Sequence, residues 1–291
     1  MKIGVGLDSR LGLTAWQLLD LAPLVKDRGY SSIWTNAGTD YDPIGMCVAW
    51  NQATGLETGV SVVPIARNPA AVLALAARTA FDLSETFTLG IGSGGLTDRP
   101  IKAVREYADE VHKAAPLVPL VIGALGPQML TLASRVAQGA ALNWCTPEQI
   151  RWSRGIVGPK TRLLMYIRVA VDDDVAAARL VLAKQILAYA MLVRPSGARG
   201  YRNHFERMGF GPELAELEAR HARGASEDEL ARTISERLVR AFGYYGDGTG
   251  AREDFAKRAV GLDVAIVRVL SARSGDPGAA ERAIRAFAPS N

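Results

Sequence analysis

The sequence predicts an α/β fold: eight strand–helix units forming a (β/α)8 barrel, with a helical insertion at about 173–250, between the seventh and eighth strands. Three observations carry this expectation. Short, near-continuous apolar runs alternate with amphipathic stretches, the pattern of parallel strands buried on both faces. The strand-like runs number eight, the count that closes a barrel. A chain of 291 residues also suits such a barrel as a single domain, 1–291. The competing arrangement is an open, doubly wound sheet with a helical appendage.

Lys2–Leu7 alternates tightly and forms the first strand. Ala15–Arg28 is a helix with Leu18, Leu19, Leu21, Ala22 and Val25 facing inward, closed by Gly29. Strand two is Ser31–Thr35, and the helix Asp42–Gly55 after it carries Ile44, Val48 and Ala49. Strand three, Glu57–Val63, leads to the helix Pro69–Leu83, and strand four, Thr86–Ile91, to the helix Ile101–Ala114. Strand five is Leu120–Ile122, with a helix over Leu130–Ala137; strand six is Ala140–Asn143, with a helix over Pro147–Gly155. Strand seven is Leu163–Val171. Asp173–Phe242 then reads as successive helices, with turns at Pro195-Ser196-Gly197, Gly209–Pro212 and Gly224. A helix over Asp254–Ala259 precedes strand eight, Leu262–Leu270, and Ala279–Ala288 is the last helix.

Composition narrows the class. Hydrophobic residues are 48% and charged residues 22%, enough for a sizeable core and against disorder. No apolar run reaches the length of a membrane span, and MKIGVGLDSR lacks the apolar core of a signal peptide. Two cysteines, Cys47 and Cys145, argue against a disulfide framework and for a reducing compartment, so a cytoplasmic location is expected. The net charge of +4 is spread among acids without a basic block, which argues against nucleic acid as a partner and for a small-molecule substrate.

The segment Val121–Trp144 is the most informative. It reads as a buried strand, a turn Gly123-Ala124-Leu125-Gly126-Pro127, a helix and a second buried strand. Free backbone N–H groups at such a helix start can hold an anion, and the layout points to a phosphate-bearing ligand. The same turn also serves as an ordinary strand-to-helix connection. In a barrel, functional residues gather at the C-terminal ends of the strands. That rule selects Asp8, Thr35, Asn36, Ser61, Val62, Val63, Gly92–Gly95, Gly123–Gly126, Asn143, Trp144 and Arg168.

Asp8 and Asn36 are the candidate catalytic residues, Asp8 as a proton donor or a hydrogen-bond acceptor for substrate, with a loop or capping acid as the alternative. Gly90–Gly95 matches G-x-G-x-x-G literally, but it sits at the fourth strand and leads into a loop, so the glycines serve close ligand approach better than a dinucleotide fingerprint. No G-x-S-x-G elbow or Walker sequence is present. His112, His204 and His221 fall on helices without metal-ligand spacing, so they read as surface or packing residues and no metal is expected. A phosphate cradle with few titratable groups points to an organic cofactor that carries the chemistry, hydride transfer above all.

The chain resembles the luciferase-like monooxygenase superfamily, in particular its coenzyme F420-dependent branch, whose members are similar to methylenetetrahydromethanopterin reductase. The resemblance covers nearly the whole chain. It rests on RGYSSIWTNAGTDYDPIG (Arg28–Gly45), TGVSVVPIARNP (Thr58–Pro69), FTLGIGSGG (Phe87–Gly95), GALGPQMLTLASRVAQGAALNW (Gly123–Trp144) and AVGLDVAIVRVL (Ala259–Leu270).

It implies a TIM barrel with an extra helical segment, usually dimeric, and a deazaflavin ring at the C-terminal ends of the strands. It places a non-proline cis peptide near Ser61-Val62, a phosphate turn at Gly123-Ala124-Leu125-Gly126, and Ser93 and Gly94 beside the cofactor; Gly92, Asn143 and Trp144, selected by their strand-end position, complete the expected cofactor-binding set. Sugar-phosphate dehydrogenases of the branch carry Glu where Gly95 stands and His in the strand-two loop, here Asn36–Asp40; both differences speak against a sugar-phosphate substrate. Lys113–Leu120 is shorter than usual for the family. The implied activity is an F420-dependent oxidoreductase acting on a small organic molecule. The alternatives are an FMN-dependent luciferase-like monooxygenase and a non-catalytic flavin-binding homologue.

Overall fold

The computed structural model describes residues 1–37, 41–81, 86–191 and 200–290. Nine parallel strands form one sheet: β1 (Lys2–Gly6), β2 (Ser32–Thr35), β3 (Glu57–Pro64), β4 (Phe87–Gly92), β5 (Leu120–Gly123), β6 (Gly139–Asn143), β7 (Arg162–Val171), β8 (Gly243–Gly246) and β9 (Val264–Leu270). Eight of them close a barrel. β1 to β7 pair in sequence order, β9 pairs with β7, and β9 then pairs with β1. The open-sheet alternative is thereby excluded. The pairing of β6 with β7 completes the ring.

The extra strand lies outside the ring. β7 is ten residues long; its first half pairs with β6, and its last residues, Arg168–Val171, pair with β8 on that same side. GYYG gave no strand signal because it is four residues long and begins and ends with glycine. Two other boundaries differ from the sequence reading. The expected helix Ala15–Arg28 splits into Ala15–Asp20 and Ala22–Asp27, because Pro23 has no N–H to give the Leu19 carbonyl. The helix before β9 starts early, at Ala251. The helix after β3 runs over Ala70–Phe81, and its expected end at Leu83 lies outside the described residues, as does the Pro195–Gly197 turn.

Three apolar layers hold the molecule. The largest lies between the strands and the outer helices and includes Val5, Ile33, Leu89, Ile122 and Val267. A second fills the barrel interior: Trp34, Val121, Ala141, Leu164, Tyr166, Val264 and Ile266. Trp34 is its largest plug. Its indole N–H donates to Ser32 Oγ at 2.8 Å. A Cβ on Gly59 would stand 2.4 Å from Trp34 Cζ3, so glycine at 59 makes room for the ring. The third layer joins the insertion helices, among them Val175–Ala190 and Glu236–Phe242, to Trp144 and Leu270 at the barrel mouth. Among the described residues no helix is long and apolar enough to cross a membrane.

Candidate active site

A cavity of about 580 Å³ opens at the C-terminal ends of the strands. One wall comes from the end of β3, where the register against β4 shifts between Val60 and Val63 and the Ser61–Val62 peptide is cis. That is the position the resemblance implied. Val62 then reaches across to β4 and β5. A Cβ on Gly92 would meet Val62 Cγ2 at 2.9 Å, and one on Gly123 would meet Val62 Cγ1 at 3.3 Å. The two glycines are therefore what lets this wall fold inward. Gly94, at φ 61°, and Gly95, at φ 100°, carry the chain through Ser93 to the rim in the left-handed region that glycine tolerates.

The facing edge is the turn after β5. Gly126 is the N-cap of the helix Pro127–Val136 and has no side chain to cap it. A Cβ at Gly126 would meet nothing within 4 Å, so the space beside this uncapped helix start is open. Gly123, Ala124, Leu125 and Gly126 all line the cavity, as do Ser61, Val62, Gly92, Ser93, Gly94, Asn36 and Asn143. Asn36 Oδ1 is buried with no hydrogen-bond partner among the described residues. The rest of the strand-two loop, Gly38–Asp40, lies outside the described residues.

Five of the residues selected by position do not line the cavity: Asp8, Thr35, Val63, Trp144 and Arg168. Asp8 is buried and paired with Arg268; its other oxygen accepts from the Arg10 amide at 2.9 Å, capping a short turn at Ser9–Leu11. This is the capping arrangement, with both carboxylate oxygens engaged. Trp144 sits at φ 53° and turns its ring away into the insertion, against Phe205, Phe242 and Tyr189.

The structure adds residues that sequence reasoning missed. Arg10, Arg67, Arg268, Tyr166, Tyr189 and Tyr201 line the cavity. Arg268 had a signal, being the one charge inside the apolar run VAIVRVL, Val264–Leu270. Tyr189 and Tyr201 had none, since they come from the insertion and meet the barrel only in three dimensions. Their rings pack edge-on at 4.8 Å, and Asn143 Nδ2 donates to the Tyr201 hydroxyl at 2.7 Å. The Tyr166 hydroxyl donates to the Thr35 carbonyl at 2.8 Å, and burial holds its pKa well above the usual value.

Arg168 lies just behind. It is held by the Asn143 amide oxygen, by the Tyr166 carbonyl at 3.0 Å and by the face of Trp144 at 3.9 Å. Burial and the like charge of Arg268 lower its pKa to about 9, so it stays protonated at neutral pH. Burial acts to raise the Tyr189 pKa, but Arg168, Arg10 and Arg268 outweigh it and the net shift is downward.

His204 ties the insertion to the end of β6. Its Nε2 bonds the Trp144 carbonyl at 2.9 Å and the Asn143 carbonyl at 3.1 Å, while Nδ1 accepts from Arg207 at 3.1 Å. This fixes the neutral ring with its proton on Nε2. Cys145 Sγ is 3.6 Å from the same Nε2, but burial pushes the thiol up to about 12, so this pair does not form a thiolate nucleophile.

Burial, then Arg207, lowers the His204 pKa to about 4, against 6.5 when unfolded. Neutral His204 therefore contributes about 3 kcal/mol that is fully present above pH 6.5 and lost as pH falls towards 4. Carboxylates titrate in the same window, so the test is a comparison. In denaturant unfolding, His204→Gln should gain on wild type by about that amount between pH 7 and pH 4. A gap that stays constant with pH would show that His204 is not the titrating group.

Fold and cavity together define a class: a closed (β/α)8 barrel with a glycine-lined, basic cleft at its mouth. No protein-family model matches the chain, and no curated protein matches it. Solved structures do. A coenzyme F420-dependent tetrahydromethanopterin reductase from Methanopyrus kandleri superposes with a TM-score of 0.73 at 16% identity, covering 99% of this chain and 97% of that one. An F420-dependent secondary alcohol dehydrogenase, solved with an F420–acetone adduct, gives 0.66 at 14%, covering 99% of both chains. The EDTA monooxygenase EmoA from Chelativorans sp. BNC1 gives 0.68 at 10%, covering 99% of this chain and 92% of that one. The chain thus has the fold that these two F420-dependent enzymes and this monooxygenase share.

Proposed function

We propose that the protein is a coenzyme F420-dependent oxidoreductase of the luciferase-like superfamily, transferring a hydride between the deazaflavin and a small organic substrate. The observation that carries this reading is the Gly123–Gly126 turn, which opens its uncapped helix start into the same cavity that Ser61, Val62, Gly92 and Gly94 line. Two features fit a bound phosphate-bearing ring compound. The space before Gly126 is what a side chain there would fill, and Asn36 Oδ1 is a buried acceptor without a donor among the described residues. Two of the similar structures are of F420-dependent enzymes, which supports the same reading.

The chain's own residues would then divide the work. The N–H groups beyond Ala124, at the uncapped start of the helix Pro127–Val136, hold the phosphate, aided by the positive end of the helix; the Ala124 N–H is already given to the Ala141 carbonyl at 3.0 Å. Gly92 and Gly94 let the ligand approach the backbone closely, with Ser93 between them, and Val62 backs the site from β3. When bound, the deazaflavin supplies the carbon that gives or takes the hydride. Tyr189 and Tyr201 narrow the mouth and limit water. Asn36 Oδ1 accepts a hydrogen bond from the substrate, and Tyr166 stays neutral throughout.

The test is calorimetric titration of the purified protein with oxidised F420 and, separately, with FMN. Coenzyme F420 should bind and FMN should not, and oxygen uptake with reduced FMN should match the protein-free blank. Tight FMN binding without deazaflavin binding would overturn the proposal and favour the monooxygenase. Deazaflavin binding without turnover on any of a panel of enones and imines would favour a non-catalytic homologue.

A further inference from the structure

The cavity has two chemically different halves. The β4–β5 side is glycine and uncharged side chains, Ser93, Leu125 and Met129 among them, at a helix start, with the exposed Arg67 from the turn after β3. The opposite side, at the ends of β1, β7 and β9, is arginine and tyrosine: Arg10, Arg268, Tyr166 and Tyr189 line it, with Arg168 directly behind Asn143. No Asp or Glu lines the cavity among the described residues. The carboxylate in contact with this arginine cluster is Asp8, which pairs with Arg268.

Arg10 Nη1 donates to the Tyr189 hydroxyl at 3.2 Å, and its guanidinium lies 6.0 Å from that ring. Arg168 is satisfied by amide, carbonyl and ring contacts that carry no charge. Three guanidiniums against one carboxylate leave this side of the cavity positive. Arg268 is 5% exposed and Arg168 2%, so bulk water screens them poorly. The downward shift of the Tyr189 hydroxyl reports the same field. A buried excess of positive charge is costly unless an anion arrives to balance it.

We propose that the substrate is a planar, unsaturated carboxylate whose carboxyl group is bound by Arg10 and Arg268. A guanidinium fork matches a carboxylate in a bidentate manner. Tyr166 and Tyr189 supply flat apolar surface for the rest of the molecule. The phosphate-holding turn sits across the cavity, so the two anions do not compete for one site. This inference rests on the oxidoreductase reading for what becomes of the carboxylate, but the binding of a carboxylate stands on the arginines alone.

The experiment titrates cinnamate, its neutral analogue cinnamamide and phenyl phosphate into the protein by calorimetry, each with and without saturating F420. Cinnamate should bind roughly tenfold to hundredfold more tightly than the amide, and more tightly than phenyl phosphate. Arg10→Met, at an exposed position, should erase that preference while leaving F420 affinity unchanged. Arg268→Met alone would strand Asp8, so it is tested with Asp8→Asn, and should likewise weaken cinnamate but not cinnamamide.

Equal affinity for acid and amide would overturn the proposal, and so would tighter binding of phenyl phosphate. Loss of F420 affinity in Arg10→Met with cinnamate binding intact would assign Arg10 to the cofactor and overturn it too. Cinnamate selectivity in a protein that binds no F420 would leave this proposal standing and remove the oxidoreductase reading instead.

Discussion

Replacing Gly126 with Asp is expected to lower the affinity for coenzyme F420 by more than about a hundredfold while the barrel stays as stable as before. Gly126 is in the extended region, φ −109° and ψ 164°, so a side chain is accommodated without strain. Its Cβ would project into open space, not into a neighbour. An N-cap Asp also serves the helix Pro127–Val136 better than Gly does, by a few tenths of a kcal/mol. The new carboxylate occupies the N–H groups meant for the phosphate and adds a like charge. Two unit charges about 5 Å apart at an effective dielectric of about 20 repel by about 3 kcal/mol.

The control is Gly126→Asn, which caps the helix without the charge and should lose about tenfold. Fluorescence titration with F420 measures both variants, and thermal unfolding confirms that each is folded. Wild-type affinity in Gly126→Asp would take the turn out of the cofactor site.

Trp34→Ala should cost about 3–5 kcal/mol of unfolding free energy, a fall of roughly 10 °C in Tm. Trp34 is 2% exposed and sits inside the barrel, where little can collapse to refill the space because the surrounding strands are hydrogen-bonded in a ring. Ser32 Oγ also loses the indole N–H that donates to it. The partner position tests the packing. Gly59→Val in the wild type drives a side chain into Trp34, since even a Cβ would approach Cζ3 to 2.4 Å. The same change in the Trp34→Ala background enters the vacated volume. The double variant should therefore be more stable than the sum of the single losses, by 1 kcal/mol or more on the scale of about 0.5–3 kcal/mol typical of contacting residues. Strict additivity in chemical denaturation would show that the indole does not fill this part of the interior.

Much of the cavity lining was legible in the chain. The strand ends named Asn36, Ser61, Val62, Gly92–Gly94, Gly123–Gly126 and Asn143, and all of them line one cavity. They could be named because strand ends in a closed parallel barrel converge, whatever their distance in sequence. Asp8, Thr35, Val63, Trp144 and Arg168 obey the same rule of position yet do not line the cavity, and for Asp8 and Trp144 the reasons lie outside any local window. The partner of Asp8 is Arg268, 260 residues away. Trp144 faces the insertion because Phe205 and Phe242 offer it an aromatic pocket. The aromatic rim of Tyr189 and Tyr201 was hidden for a related reason. On a helix, a tyrosine that packs and one that lines a cleft look alike until the helix is docked.

The sequence by itself determined the order of strands and helices, the closing number of barrel strands and the glycine turn at the fifth strand's end. Periodicity and turn chemistry act over a few residues, so a single chain displays them. Tertiary structure alone decided which charges meet. It paired Arg268 with Asp8, stacked Arg168 on Trp144 and set a positive wall across the cavity from the glycine turn after β5. Closure of the ring fixes the register between strands far apart in sequence, and electrostatic energy depends on that register through distance and burial, which no stretch of residues carries on its own.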